Sequence, residues 1–175
     1  MKAKGLLMKK FVLFAVIVSL WSASAQAAAP KLIGDYNDWS AYYYQEGKNT
    51  VCYIASTPKK DEGKYTARGN IYVVVTHRPA EKSYDVVNFV AGYAYKKDAK
   101  VQIKIGKKVI DRMFVDKDKA WAINEKVDRE LVNAMKNGER MIVHGTSSRG
   151  TDTKDTYSLS GFSAAYQAIN SKCRR

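Results

Sequence analysis

From residue 39 onward apolar and polar positions mostly alternate, which is the period of strands, and the helical period is confined to two stretches. Residues 39–44 and 51–56 are rich in aromatic and β-branched side chains and are separated by Gln45-Glu46-Gly47-Lys48-Asn49, so they predict a hairpin. A charged connection over 58–63 precedes a β-branched run, 71–77, that Pro79 ends. Residues 84–95 place Val87, Phe89, Ala91 and Tyr93 on one side and Val86, Val90 and Ala94 on the other, the pattern of a central strand that is apolar on both faces. In 101–105, Val101, Ile103 and Ile105 alternate with Gln102 and Lys104, giving one wet face. Short strands follow over 109–115 and 120–123, and a hairpin over 141–147 and 156–160 flanks Arg149-Gly150-Thr151-Asp152.

Val127, Leu131, Ala134 and Met135 recur at helical spacing before Gly138, predicting a helix over about 128–137. Phe162, Ala165, Tyr166 and Ile169 predict a second over about 162–170. The expected fold is mainly β: a single antiparallel β-sandwich or flattened barrel with two short helices, with α+β as the alternative.

The first residues do not belong to that pattern. Lys2, Lys4, Lys9 and Lys10 precede an apolar run, 11–21, broken only by Ser19, and Ala25-Gln26-Ala27 ends the segment. That is the composition of a signal peptide over 1–27, cut after Ala27 or Ala29; the run falls short of the ~20 residues that span a bilayer. One domain over 28–175 remains, with no transmembrane span after cleavage and an expected periplasmic, cell-surface or secreted location. With 46% hydrophobic and 27% charged residues among 175, the chain is neither disordered nor polytopic. The net charge of +13 falls to +9 without the four leader lysines.

Cys52 and Cys173 both lie in the exported part, which favours an intramolecular disulfide over an intermolecular or free pair. Catalytic and metal chemistry is thinly represented. His77 and His144 are the only histidines, both in predicted strands, and neither has a nucleophile-elbow motif beside it. No ligand spacing for a metal and no phosphate-cradling glycine loop occurs, so no cofactor is expected. Charge is what points outward: Lys59, Lys60, Lys96, Lys97, Lys100, Lys104, Lys107, Lys108 and the tail Lys172, Arg174 and Arg175 recur at turns and on the wet side of 101–105. In an exported protein such a surface implies an anionic envelope or host-surface partner and not nucleic acid; lysines at turns also keep edge strands from pairing.

Asp38-Trp39, Val51-Cys52, the run from Asp118 through Lys119, Ala120 and Trp121 to Ala122, the helix ending Ala134-Met135-Lys136-Asn137-Gly138, and the run from Ser158 to Ala165 carry a resemblance to the invasion-associated locus B (IalB) family of secreted bacterial proteins. The resemblance implies an exported, mainly β domain without established catalytic residues or cofactor. It departs from the family at Tyr42-Tyr43-Tyr44, where a cysteine commonly follows the Asp-Trp pair, which leaves Cys173 as the partner of Cys52. The functional expectation is a non-enzymatic, invasion-associated locus B-like envelope or host-interaction protein, with Lys96, Lys97, Lys100, Lys104, Lys107 and Lys108 meeting an anionic partner. The alternative is a periplasmic carrier of a small apolar ligand, and a hydrolase built on His77 or His144 stands third.

Overall fold

The computed structural model describes residues 29–175, so the leader predicted over 1–27 lies outside the described residues. In chain order the elements are β1 (Lys31–Tyr36), β2 (Trp39–Glu46), β3 (Asn49–Ser56), β4 (Lys60–Gly63), β5 (Tyr72–Arg78), β6 (Ser83–Val90), β7 (Gln102–Ile105), β8 (Lys108–Ile110), β9 (Met113–Asp116), β10 (Lys119–Ala122), α1 (Glu125–Asn137), β11 (Arg140–Thr146), β12 (Asp152–Ser158) and α2 (Phe162–Cys173). Among the described residues strand accounts for 49% and helix for 19%, which makes the fold mainly β. One sheet has the order β1-β2-β3-β5-β6-β10-β9 and the other β4-β12-β11-β7-β8. Every pairing is antiparallel, and neither sheet closes on itself, so the arrangement is sandwich-like and not a barrel.

The strand with two apolar faces, β6, is interior, between β5 and β10. It stops at Val90, earlier than the alternation suggests, and Tyr95 rejoins a sheet only through an isolated bridge to Ser147. The charged connection is itself an edge strand, β4, whose Lys60 to Gly63 pair with Thr156 to Thr153; charge is what an exposed edge carries to avoid a further partner. Strand β1 has too mixed a pattern to be read from sequence.

Helix α1 begins at Glu125, ahead of the periodic stripe, because the Asn124 side chain caps it by accepting from the Val127 N–H at 3.1 Å, with Glu125 and Asp128 in the first turn. It ends at Gly138 in an extended conformation, φ −100°. Glycine is required there by packing and not by backbone angle, since a Cβ would lie 2.5 Å from Ile105 Cγ2. Helix α1 lies on β6 and β10, and α2 on β1, β2, β3 and β5, so both helices cover the same face of the seven-stranded sheet. Beneath them Ala41, Cys52, Ile54, Val75, Val87 and Phe89 are buried, in one core with Ile103, Met141 and Tyr157 of the second sheet.

Residues far apart in sequence that carry the family resemblance meet in space. Trp39, 1% exposed, packs edge-on against Phe162 with ring centroids 4.9 Å apart, and its Nε1 donates to the Ser158 carbonyl at 3.0 Å. Gly161 takes φ +88°, and any Cβ there would strike the Tyr36 carbonyl oxygen. At the far end of α2, Cys173 is bonded to Cys52 of β3, their Cα atoms 6.1 Å apart across 121 residues. The chain segment between β4 and β5 is fastened by Arg68, which forms a bidentate pair with Asp155 of β12 at 2.6 Å and donates through Nε to the Ala91 carbonyl.

The opposite face of the seven-stranded sheet carries no helix, yet it is not polar. Asp35, Ser40, Ala55, Val74, Asn88, Trp121 and Phe114 stand in register across seven strands, and Leu32, Tyr42, Tyr53, Thr76 and Val86 form the adjoining row. The sequence alternation identified this second apolar face but not its exposure.

Two stability outcomes follow. Gly161→Ala should lower unfolding free energy by at least about 2 kcal/mol, because a left-handed backbone angle and a backbone collision combine. Replacing Cys52 and Cys173 together by alanine should cost on the order of 3 to 5 kcal/mol, since a long loop closure is lost. Urea unfolding of each variant measures both.

Candidate functional site

Of the six lysines expected to form one basic surface, the fold gathers some and separates others. Lys104 of β7 and Lys108 of β8 line a recess of about 590 Å³ with Arg140 of β11, between the β7–β8 turn and the C-terminal end of α1. Lys107 sits in that turn, exposed to solvent. Lys108 is partly neutralised by Glu130 at 3.1 Å, a carboxylate it shares with Arg112, and Glu139 also lines the recess. Lys104 and Arg140 pair with no carboxylate among the described residues.

The recess opens onto the outward face of the five-stranded sheet. There Lys104 stands in register with Ile142, Thr156 and Lys60, and the next row runs Gln102, His144, Lys154 and Glu62. Glu62 holds both Lys60 and Lys154, at 2.8 and 3.1 Å. Arg140 and Lys154 belong to this basic face and were not singled out from the sequence, because their strands become neighbours of Lys104 only through the β7–β11–β12 pairing. The alternation of Arg140, Ile142 and His144 with the buried Met141 and Val143 was the available signal.

Lys96, Lys97 and Lys100 lie elsewhere. Lys97 and Lys100 border a separate depression with Asp98, Asp111 and Asp116, where charges of both signs meet. The basic tail is also apart: the Lys172 ammonium lies 4.0 Å from the Tyr43 ring centre, and Arg175 pairs with Asp85.

His77, fully buried on β5, is a structural group. Its Nδ1 accepts from the Asp85 N–H at 3.1 Å, so the proton resides on Nε2, which donates to Asn170 Oδ1 of α2 at 2.9 Å. Burial holds its pKa below the ordinary histidine value, against the opposing effect of the Asn170 bond. Beside it Tyr166 donates to Asp85 Oδ1 at 2.5 Å and Arg175 reaches the same oxygen, so the cluster ties α2 and the chain end to β6. His144 is half-buried on the outward face of the other sheet. The two histidines therefore lie on different sheets, and His77 has both ring nitrogens engaged. Among the described residues no group of three or more metal-ligating side chains is found, and no helix is long and apolar enough to cross a membrane.

A family model described as "Invasion associated locus B (IalB) protein" matches residues 39–170. No curated protein and no solved structure matches the chain.

The buried acids and bases give the fold an acid profile with two opposing parts. His77 binds its proton less readily when folded, so its contribution to stability is lost as pH falls below about 6.5. Asp128, whose Oδ1 accepts from the Val87 N–H at 2.9 Å, has its carboxyl pushed up to about 6 by burial, against that hydrogen bond. The folded state keeps this proton where the unfolded chain has lost it, so stability from Asp128 falls as pH rises from about 4 to about 6. Asp128→Asn retains an acceptor for Val87 and removes the second effect. Chemical unfolding across pH 4 to 7 should show the variant losing stability toward acid more steeply than the parent, and parallel profiles would refute the assignment.

Proposed function

This chain belongs to the invasion associated locus B family, and from that premise we propose that it is an exported protein that acts by contact with an anionic partner and not by bond chemistry. The Cys52–Cys173 bridge fits an oxidising compartment outside the cytosol. The observation that carries the reading is the convergence of Lys104, Lys108 and Arg140 on one recess that continues into a basic sheet face. Lys104 and Arg140, without carboxylate partners among the described residues, keep their charge available to an incoming anion, and the net charge of +9 left without the four leader lysines adds a long-range attraction that brings the anion in. The chemistry suits phosphate- or sulfate-bearing envelope and host-surface polymers. Nothing in the His77 cluster supplies a free base beside a nucleophile, which is why the non-enzymatic reading is preferred.

Retention of the oxidised protein on heparin or on anionic vesicles should be strong at low salt and largely lost in 0.5 M salt, the range where the screening length falls toward ~4 Å. The double variant Lys104→Glu with Arg140→Glu should elute at clearly lower salt than Lys97→Glu with Lys100→Glu. Equal shifts for the two pairs would place the contact elsewhere.

A further inference from the structure

We propose that the helix-free face of the seven-stranded sheet is a binding site for a neutral glycan chain, separate from the basic recess and resting on none of its residues. An antiparallel sheet with one solvated face normally turns polar side chains outward. Here the solvated face is a groove of about 680 Å³ lined by Tyr42, Tyr44, Tyr53, Tyr72 and Trp121 with Thr76 and Ser83. Tyr42 and Tyr53 stack with centroids 5.1 Å apart, and Tyr44 meets Tyr53 edge-on at 6.2 Å. Leu32 and Phe114, 52% and 50% exposed, extend the same surface onto the two edge strands.

Charge selects the occupant. Arg78 is the one charged residue lining the groove. Its guanidinium is held by Glu46 at 2.7 Å and Glu81 at 3.2 Å, and it also donates to the Tyr44 hydroxyl. That end is therefore not cationic, and the groove offers no unpaired positive charge on a strongly basic chain; it complements an uncharged ligand and gives nothing to an anion. Hydrogen bonding narrows the choice further. The lining offers ring faces and hydroxyls side by side, and an acyl chain would cover the hydroxyls without supplying a partner. A second copy would bring the same net charge against its own. A pyranose presents C–H faces that pack on aromatic rings and hydroxyl edges that bond to tyrosine, threonine and serine.

The test titrates the oxidised protein with neutral hexasaccharides of beta-linked glucose, beta-linked N-acetylglucosamine, alpha-linked glucose and alpha-linked mannose, following tryptophan fluorescence and backbone amide shifts. Lauric acid and protein dilution serve as probes for an acyl ligand and for self-association. At least one hexasaccharide should bind with Kd below about 1 mM, unchanged between low and high salt, and shift amides of β3, β5 and β10. Tyr53→Ala and Trp121→Ala should each weaken it by roughly tenfold or more. Lys104→Glu should leave it intact, so loss of heparin retention and loss of glycan binding are read separately. Should Trp121→Ala unfold the protein, Tyr42→Ala probes the same groove from β2. Absence of binding by all four sugars below that limit overturns the proposal, as does binding that survives these substitutions. Lauric acid or a second copy occupying the face in place of any sugar also overturns it.

Discussion

The seating of α2 on one face of the seven-stranded sheet is the constraint from which the rest of the molecule follows. At its start, Gly161 allows the backbone to pass the Tyr36 carbonyl so closely that no side chain fits, and Phe162 is thereby delivered against Trp39. At its end, Cys173 is covalently joined to Cys52, and the next turn of chain brings Arg175 to the buried Asp85. Between those points His77 and Asn170 bridge strand and helix, and Tyr166 reaches Asp85 from the same side. A helix fastened at both ends and along its length by contacts more than 80 residues apart in sequence cannot be displaced without opening the core.

One consequence is asymmetry. Both helices are spent on a single face of the large sheet, so its other face remains open while still built from tyrosine, valine and tryptophan. A second consequence is the separation of charge. Lys104, Lys107, Lys108 and Arg140 gather around the β7–β8 turn and the outward face of the five-stranded sheet, whereas the groove on the large sheet's open face is lined by a single charged residue, Arg78, which is paired with carboxylates.

Much of this was legible in the sequence because it rests on local periodicity. The mainly β class, the hairpin of β2 and β3, the one-sided wetting of β7 and the stripe of α1 are all consequences of which positions are apolar. What escaped depended on tertiary neighbours. The early start of α1 lies in a polar first turn that carries no periodic signal, and Gly138 reads as a backbone device when its role is to clear Ile105. Strand β4 has the composition of a loop and becomes a strand only by pairing with β12. The six lysines expected to meet one anionic partner recur at turns and on a wet strand face, but only the sheet order reveals that Lys104 and Lys108 share a recess with Arg140 and that Lys96, Lys97 and Lys100 do not.

The most direct test of the account is hydroxyl-radical footprinting of the oxidised protein read by mass spectrometry, because it measures which sheet face is covered. Tyr42, Tyr53 and Trp121 should be modified readily while Trp39, Tyr157 and Phe162 are protected. Protection of the Tyr42, Tyr53 and Trp121 set, or modification of Trp39 and Phe162 in the folded oxidised state, would contradict the placement of α2 on which everything else depends.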